Sequence, residues 1–213
     1  MDPTETRVES VRNVGRYAIA LTLDSPSGFD ARPGQFVKLI LEVGGETHPR
    51  FYTISSPGVG GTFETTIGID PEGDVSPRLT ALERGDTVTV AGPFGDAYYE
   101  DEGRCVVLAG GPGVGPAVGI AERAIEDGNE AAVVYRDAEP MHTDRLADLE
   151  GRGAFVRVLD ADEDLAGAVG EALTNGDDEQ VFVYGFADFL EAATDAIAAG
   201  GGAPDEAKTE NFG

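Results

Sequence analysis

Cysteine is nearly absent from this sequence of 213 residues, which contains only Cys105. A single cysteine excludes an internal disulfide and any four-cysteine iron–sulfur or zinc site within the chain. No metal site is predicted, because His48 and His142 each lack a second ligand nearby in the sequence.

Long apolar segments are lacking as well. No run of about 18 apolar residues occurs, so the sequence predicts no membrane span. The first ten residues, MDPTETRVES, are polar and acidic, which argues against a signal peptide. Hydrophobic residues make up 41% of the chain, as in globular proteins. We therefore expect a folded protein in the cytoplasm.

Positive charge is scarce. Lys38 and Lys208 are the only lysines, and 40 acidic residues face 15 basic ones, which gives a formal net charge of −25. Nucleic-acid binding is not expected, because the chain offers no basic patch. The acidic residues are spread over the whole chain. We therefore hypothesise a protein from a salt-rich cytoplasm, with an ordinary acidic protein as the alternative.

The first half of the chain is rich in Val, Ile, Thr and aromatic residues between Gly, Pro and Asp turns, which predicts β-strands. About six strands at this spacing favour an antiparallel barrel or sandwich. One helix is expected at 75–85, with Leu79 and Leu82 on one face. The predicted strands are 7–13, 17–23, 35–41, 50–55, 62–69 and 86–92.

The second half alternates near-continuous apolar runs with alanine-rich helical patterns, which predicts a parallel doubly wound sheet. The boundary falls in the acidic stretch 99–104, so we predict domains at 1–99 and 100–213. Residues 207–213 are expected to form a last short strand. The predicted strands are 105–111, 131–136, 154–159 and 181–186, and the helices are 116–128, 143–151, 164–176 and 188–200.

The segment PRFYTISSP, at 49–57, combines a cation, an aromatic ring and several hydroxyls in one predicted strand. Arg50 can clamp a phosphate through two charge-assisted hydrogen bonds, and Tyr52 can stack on a flat heterocycle. Thr53 lies on the other face of a regular strand, but its hydroxyl can still reach a ligand edge. The alternative is an edge strand with an exposed arginine and a half-buried tyrosine.

Two further segments are suited to anions. Gly73, Val75 and Ser76 stand at the start of the predicted helix 75–85, where free N–H groups and the positive dipole end lie. Ser76 is alternatively the N-cap of that helix. The loop GGPGVGP, at 110–116, joins a buried strand to a helix, as in pyrophosphate-binding turns. Its alternative is a tight strand–helix connection.

These motifs, in this order, resemble the ferredoxin–NADP reductase-like family of flavin reductases. In that family an R-x-Y-[ST] strand and a G-x-V-S helix start hold FAD on a six-stranded Greek-key barrel, and a G-G-x-G-x-x-P loop opens an NAD(P)H domain. The P-G-Q-F strand start, at 33–36, and the G-D-x-V…G-P-x-G segment, at 85–95, are also present. The resemblance covers almost the whole chain and implies FAD and NAD(P)H as cofactors.

The resemblance also implies roles for individual residues. Arg50 would bind the FAD pyrophosphate, Tyr52 would stack on the flavin, and Thr53 would lie near its reactive N5. The catalytic positions are Thr53 and Tyr184. The remaining predicted cofactor-binding residues are Phe51, Ile67, Gly68, Ile69, Gly73, Asp74, Val75, Ser76, Gly110, Gly111, Gly113, Val114, Gly115, Pro116, Arg136, Gly185 and Phe186.

One departure from the family pattern concerns Tyr184-Gly185-Phe186, where the family commonly has Cys-Gly-Pro. The glycine needed for close backbone approach is retained, and the alternative for Tyr184 is simple packing at the strand end. Glu210 and Phe212 could contact the flavin, but a surface charge and a frayed tail are expected instead.

The resemblance implies a reductase that takes hydride from NAD(P)H and passes electrons to a separate acceptor, for which a ferredoxin is favoured. A non-catalytic FAD-binding or nucleotide-binding module and an electron-transfer subunit of a larger dehydrogenase are the alternatives. The choice between NADH and NADPH stays open. Arg136 could pair with the 2′-phosphate of NADPH, whereas Asp137 could bind the ribose 2′-hydroxyl of NADH. The direction of electron flow and the oligomeric state stay open as well.

Overall fold

The computed structural model describes residues 1–73 and 75–213, and Asp74 lies outside the described residues. The first part of the chain forms an antiparallel sheet in the order β4-β3-β6-β1-β2-β5. A bridge between Ile54, which directly follows one edge strand, and Thr65 of the other edge strand closes the sheet, so the predicted six-stranded Greek-key barrel is confirmed. The strands are β1 (Thr4–Gly15), β2 (Ala18–Asp24), β3 (Phe36–Val43), β4 (Glu46–Thr53), β5 (Thr62–Gly68) and β6 (Thr87–Phe94).

The barrel closes around side chains that alternate along its strands. Leu21, Leu39 and Phe63 are fully buried in its core, and each such side chain contributes about 1.5–3 kcal/mol. The helix expected at 75–85 is shorter, α1 (Ser76–Thr80), but Leu79 and Leu82 both pack into the core as predicted.

The strand β4 begins at Glu46, four residues before the predicted start at Arg50. It forms a hairpin with β3 through Gly44 and Gly45, which both have positive φ, at 61° and 86°. A two-residue turn of this kind matches the twist of antiparallel strands. The hairpin carries the PRFYTISSP segment at the open end of β4.

The second part of the chain is a parallel sheet in the order β11-β10-β7-β8-β9. Apolar clusters cover both of its faces, as expected for parallel strands, so the doubly wound domain is confirmed. The strands are β7 (Arg104–Gly110), β8 (Glu130–Arg136), β9 (Phe155–Leu159), β10 (Glu179–Gly185) and β11 (Lys208–Asn211), and the helices are α2 (Val114–Asp127), α3 (Thr143–Gly151), α4 (Leu165–Ala172) and α5 (Ala187–Ala199). No helix in the described part of the chain is long and apolar enough to span a membrane.

A polar network joins the two sheets. The guanidinium of Arg145, on α3, donates to Glu122 of α2 at 2.6 Å and to Glu64 of β5 at 3.0 Å. It also donates to the carbonyl of Ser55 at 2.7 Å. Arg12 completes the network with a 2.6 Å bond to Glu64. Since Glu64 and Ser55 belong to the barrel, the network fixes how the second sheet sits on the first.

The C-terminal strand is anchored to the segment between the sheets. The ammonium of Lys208 donates to the carbonyl of Tyr98 at 2.9 Å, and it also donates to Glu100 at 2.8 Å and Glu102 at 2.7 Å. The strand β11 pairs with β10 along Phe182 to Gly185. A short last strand was predicted within residues 207–213. The chain end is therefore held beside the barrel.

Candidate functional site

A cavity of about 720 Å³ opens between the barrel and the parallel sheet. Its volume lies in the range of cofactor sites, which are mostly apolar clefts with a few polar groups. The barrel contributes Tyr17, Phe36, Phe51, Tyr52, Thr53, Thr66, Gly68, Ile69 and Asp70, and the second domain contributes Pro112, Pro116, Met141, Phe186, Glu210, Asn211, Phe212 and Gly213.

The end of β4 supplies the polar wall of the cavity. Tyr52 is half-buried, and burial raises the pKa of its phenol to about 12, so the ring stays neutral. Thr53 is buried beside it. Both residues line the cavity although they are neighbours at the end of β4, which ends at Thr53. Tyr52 thus offers a flat ring and Thr53 a hydroxyl at the same wall.

Arg50 lies next to this wall but does not line it. The side chain is exposed, and its hydrogen bond to the described residues runs to the neighbouring carbonyl of Pro49, at 2.9 Å. No acidic side chain of the described residues forms an ion pair with it, in a chain with 40 acidic residues. The guanidinium is therefore available to an anion from outside the protein.

The residues at the end of β5 and just after it divide between the cavity and the core. Gly68 and Ile69 line the cavity, whereas Ile67 points into the barrel. Val75 is buried in the same core, and neither Gly73 nor Ser76 lines the cavity.

The N-cap alternative for Ser76 is wrong. Ser76 is the first helical residue, and its hydroxyl accepts from the N–H of Asp70 at 3.0 Å, which closes the preceding turn.

The glycine loop after β7 is built mainly for close packing. A Cβ on Gly113 would overlap the carbonyl of Tyr184, and one on Gly115 would stand 2.6 Å from the hydroxyl of Thr66. Gly110 packs on the ring of Phe189 in the same way, and Val114 is buried in the core.

Gly111 differs from the other glycines of the loop. It combines a positive φ of 56° with open space, since the nearest side-chain atom is 3.8 Å from its Cβ position.

The structure does not bring the Tyr184 side chain to the cavity. It is fully buried in the core of the second domain, and its hydroxyl donates to the carbonyl of Ala97. Burial also raises the pKa of this phenol well above its ordinary value, so it stays protonated. The position therefore matches the packing alternative and not a catalytic side chain.

The two residues that follow Tyr184 reach the crevice. The carbonyl of Gly185 accepts from the N–H of Phe212 at 3.0 Å. Phe186 is 52% exposed, lines the cavity and meets the ring of Phe212 edge to face at 6.1 Å. Arg136 ends β8 outside the cavity, with its guanidinium 5.6 Å from the ring centre of Phe189.

The C-terminal segment contributes more to the cavity than the sequence predicted. Phe212 packs against the core of the second domain, and Glu210 lines the cavity instead of the open surface. Burial and the nearby Asp96 raise the pKa of the Glu210 carboxyl above its ordinary value. The frayed-tail and surface-charge expectations are therefore wrong. The signal available in the sequence was the short strand pattern of residues 207–213, which places these side chains beside β10.

A histidine at the domain junction was also missed. The Nε2 atom of His142 lies 2.7 Å from the hydroxyl of Thr66, a cavity residue. Its backbone N–H donates to the carbonyl of Val14 at 2.8 Å. Burial and the neighbouring Arg145 lower the pKa of His142 to about 4. A neutral imidazole therefore connects the second domain to the cavity wall of the barrel.

Comparison with known proteins adds sequence relatives. Residues 5–99 match the family described as oxidoreductase FAD-binding domain. The chain is 29% identical to the toluate 1,2-dioxygenase electron transfer component of Pseudomonas putida, over 98% of this chain and 67% of that protein. It is 42% identical to the glycine betaine monooxygenase reductase subunit of Chromohalobacter salexigens, over 46% of this chain and 27% of that protein. The chain therefore spans about two thirds of the first relative and about a quarter of the second.

Solved structures share the two-domain fold. The FAD/NAD-binding domain of nitric oxide dioxygenase from Vibrio cholerae O1 biovar El Tor superposes over the whole of both chains, with a TM-score of 0.87 and 21% identity. A ferredoxin NADP+ reductase from Neisseria gonorrhoeae, solved with bound FAD and NADP, also matches over both whole chains, with a TM-score of 0.83 and 18% identity. At these identities the likeness concerns the fold.

Proposed function

We propose that this chain, whose residues 5–99 match the oxidoreductase FAD-binding domain family, is a flavin oxidoreductase of the ferredoxin–NADP reductase-like type. In this proposal it transfers hydride from NAD(P)H to FAD and passes electrons to a separate acceptor. FAD, when bound, takes up an electron pair and can release the electrons singly. The residues of this chain hold and orient the two cofactors. The cavity between the two sheets is the observation that carries the proposal.

The barrel side of the cavity fits FAD. A flavin needs a flat apolar contact, and the neutral ring of Tyr52 supplies one. We assign Thr53 to the reactive edge of the flavin. The pyrophosphate needs a cation, and the exposed guanidinium of Arg50 lies beside this wall without an acidic partner among the described residues. Gly68 and Ile69 extend the surface along the same side.

Residues 73–76 keep their assignment to the FAD phosphates as a proposal. The Cβ position of Gly73 and the hydroxyl of Ser76 both lie next to Asp70, which lines the cavity. Asp74 is assigned from the sequence alone. We also propose the domain boundary at 99/100, between the last barrel strand, which ends at Phe94, and β7, which begins at Arg104.

The sheet side of the cavity fits the nicotinamide dinucleotide. The strand β7 lies between β8 and β10, so the chain switches direction across the sheet at this strand. Ligands of open α/β sheets bind at such a switch point, beyond the carboxyl ends of the strands. The open turn at Gly111 and the exposed ring of Phe186 lie there. We assign Tyr184 to packing beneath this crevice.

The acceptor that we propose is a ferredoxin. The relative from Pseudomonas putida carries the name of an electron transfer component, which supports a separate acceptor. Within these 213 residues, the single Cys105 cannot hold an iron–sulfur cluster. Reduction rates of ferredoxin, quinone and free flavin by the NAD(P)H-reduced protein, compared side by side, test this choice, and faster reduction of quinone or flavin would contradict it.

We further propose a cytoplasmic protein adapted to high salt, on the basis of the net charge of −25 spread over the chain. Its melting temperature is expected to rise between dilute buffer and molar KCl, because salt screens the repulsion between like charges. A melting temperature that stays constant would contradict this proposal.

The first experiment is an absorbance spectrum of the purified protein in molar KCl, followed by anaerobic addition of NADH and then NADPH. We expect a flavin spectrum that bleaches within seconds. A bound flavin that neither nucleotide bleaches would instead support the non-catalytic binding module. Absence of flavin binding, even with added FAD, would refute the assignment of the cavity.

A matched pair of variants tests the assignment of Arg50. Arg50→Ala removes charge-assisted hydrogen bonds worth about 1.5–3 kcal/mol, so FAD should be retained about 10–100-fold more weakly. Arg84→Ala removes the same charge from an exposed site paired with Glu9 and should leave FAD affinity unchanged. The measurement is FAD affinity by flavin fluorescence titration. Equal affinities in the two variants would contradict the role of Arg50.

A further inference from the structure

We propose that the tip of the β1–β2 hairpin, formed by Arg16 and Tyr17, is the barrel's part of the NAD(P)H site, and that Arg16 pairs with the pyrophosphate of the dinucleotide. This inference rests on the proposed function and adds a substrate-binding residue from the first domain to it. It follows from the contacts that place the hairpin tip beside the glycine turn.

The hairpin tip is held against the second domain. Arg16 and Tyr17 form the two-residue turn between β1 and β2. A Cβ on Gly15, the last residue of β1, would stand 2.8 Å from the side chain of Met141. The guanidinium of Arg16 donates to Glu139 at 2.9 Å. The tip therefore faces the loop that joins β8 to α3.

The same loop borders the glycine turn. The N–H of Glu139 donates to one carboxylate oxygen of Asp137 at 2.8 Å, and the other oxygen lies 3.8 Å from the Cβ position of Gly111. On its other side the turn meets the end of β5, since the ring of Pro112 lies 3.2 Å from the Cβ position of Gly68. The hairpin tip and the glycine turn are therefore at the same end of the cavity.

Tyr17 connects the hairpin tip to the cavity. Its ring is 49% exposed and lines the cavity together with Pro112 and Met141. Its carbonyl accepts from the N–H of Ile69 at 2.7 Å, which fixes the backbone of the tip to the residue after β5. The guanidinium of Arg16 lies 5.3 Å from the centre of the Tyr17 ring. A positive charge therefore stands over a ring that belongs to the cavity wall.

A pyrophosphate needs a positive partner at this end of the cavity. The chain carries a net charge of −25, and the glycine turn at 110–116 contains no cation. The end of β5 that meets the turn is Gly68, which has no side chain to offer. Arg136 is stacked over Phe189, 5.6 Å from the ring centre, and Arg145 is paired with the carboxylates of the domain junction. The hairpin tip therefore supplies the charge that the glycine turn lacks.

The ion pair at the hairpin tip can be exchanged for a ligand. The side chain of Arg16 is 65% exposed and that of Glu139 is 50% exposed. Exposed pairs of this kind contribute little to stability, whereas a guanidinium binds phosphate oxygens through two charge-assisted hydrogen bonds. Glu139 thus competes with the pyrophosphate for Arg16, and substitutions of the two residues should have opposite effects.

The test is calorimetric binding of ADP-ribose and of 2′-phospho-ADP-ribose to the FAD-loaded protein, since both probes carry the pyrophosphate. Arg16→Gln should weaken binding of both probes about tenfold, and Arg16→Lys should restore part of the loss. Glu139→Gln should tighten binding about threefold, because it frees the guanidinium. Arg84→Gln, which removes a charge from an exposed pair with Glu9, should change neither affinity.

Two further readouts distinguish a ligand contact from a structural role. The affinity of the unaltered protein for ADP-ribose should fall more steeply with KCl than that of Arg16→Gln, because one screened charge pair is missing in the variant. In turnover, Arg16→Gln should raise KM and leave kcat unchanged, since the pyrophosphate carries the same charge in the ground state and in the transition state.

The outcomes separate this inference from the function. Equal weakening by Arg16→Gln and Glu139→Gln would show that the ion pair only supports the domain junction, and it would overturn the inference. Unchanged affinity in Arg16→Gln would do the same, as would a loss confined to 2′-phospho-ADP-ribose, which would place the guanidinium at the 2′-phosphate. In these cases flavin bleaching by NADH or NADPH would leave the reductase intact. Binding of neither probe by the unaltered protein, with the flavin unbleached, would overturn both.

Discussion

Arg145→Met should strongly destabilise this protein, because the guanidinium of this mostly buried arginine joins the two domains. It makes two hydrogen bonds to Glu122, at 2.7 and 2.6 Å, one to Glu64 at 3.0 Å and one to the Ser55 carbonyl at 2.7 Å. The side chain of Glu122 is only 15% exposed and that of Glu64 only 11%. Glu64 keeps Arg12 as a partner, whereas no other described cation pairs with Glu122.

The magnitude follows from these contacts. Removal of one partner from a buried ion pair costs about 3–5 kcal/mol. Both carboxylates keep some exposure to solvent, and Glu64 keeps Arg12 as a second partner. The expected loss of unfolding free energy therefore lies near the lower limit, at about 3 kcal/mol. For a chain of 213 residues, each kcal/mol lowers the melting temperature by roughly 2–4 °C. The expected decrease is therefore roughly 6–12 °C.

The assay is thermal unfolding followed by circular dichroism, with Arg123→Met as the matched control. Arg123 pairs with Asp127 on the exposed side of α2, where the arginine is 44% exposed. An exposed pair of this kind contributes at most about 1 kcal/mol. The double variant Glu64→Gln/Arg145→Met should lose less stability than the sum of the losses in the two single variants, because the two side chains share one hydrogen bond. Equal melting temperatures for the Arg145 and Arg123 variants would refute the view that this network carries the domain junction.

Three further predictions concern buried groups. Tyr184→Phe should cost about 1–3 kcal/mol in urea unfolding, because the Ala97 carbonyl loses its donor, but kcat should stay unchanged; a large loss of kcat would restore a catalytic role. His142, with a pKa of about 4 against an ordinary 6.5, is neutral when folded and takes up a proton on unfolding. The contribution of His142 to stability should therefore fall by about 3 kcal/mol as pH decreases from 6.5 to 4, and His142→Gln should lose this part of the slope in urea unfolding measured across this range. An identical slope in the variant would contradict the assignment. Gly113→Ala should yield little folded protein, since its Cβ overlaps the Tyr184 carbonyl, and a normal yield of folded protein, judged by circular dichroism, would show that the loop relaxes.

The strands and helices were predictable because each has a local cause. The parallel strands are continuous apolar runs. The strands predicted at 105–111 and 181–186 form as β7 and β10, which each end one residue earlier, at Gly110 and Gly185. Helix α3 has the predicted bounds, Thr143–Gly151. The predicted helix at 75–85 was too long, since α1 ends at Thr80 and the chain then turns into β6. Local pattern set the type of each element and left the bounds less certain.

The cavity was only partly predictable, because several of its walls depend on contacts between distant segments. Tyr52 and Thr53 were found from a motif, but Tyr17 and Met141 carry no such signal. Both line the cavity near the place where the backbone N–H of His142 donates to the carbonyl of Val14 across the domain junction. Phe212 likewise joins the site because β11 pairs with β10. Pairings of this kind depend on tertiary structure, which a local sequence pattern does not contain.

The glycine loop illustrates why a correct motif can suggest the wrong contact. A glycine is required wherever a Cβ has no room, and the neighbour that excludes it can be a ligand or the protein itself. At Gly113 and Gly115 the neighbours are protein atoms of Tyr184 and Thr66, so these glycines set how deeply α2 sinks between the two sheets. Among the described glycines of this loop, only Gly111 combines positive φ with open surroundings. The loop therefore shapes the cavity through Gly113 and Gly115, whereas the open turn at Gly111 is the part of the loop that we propose for the dinucleotide.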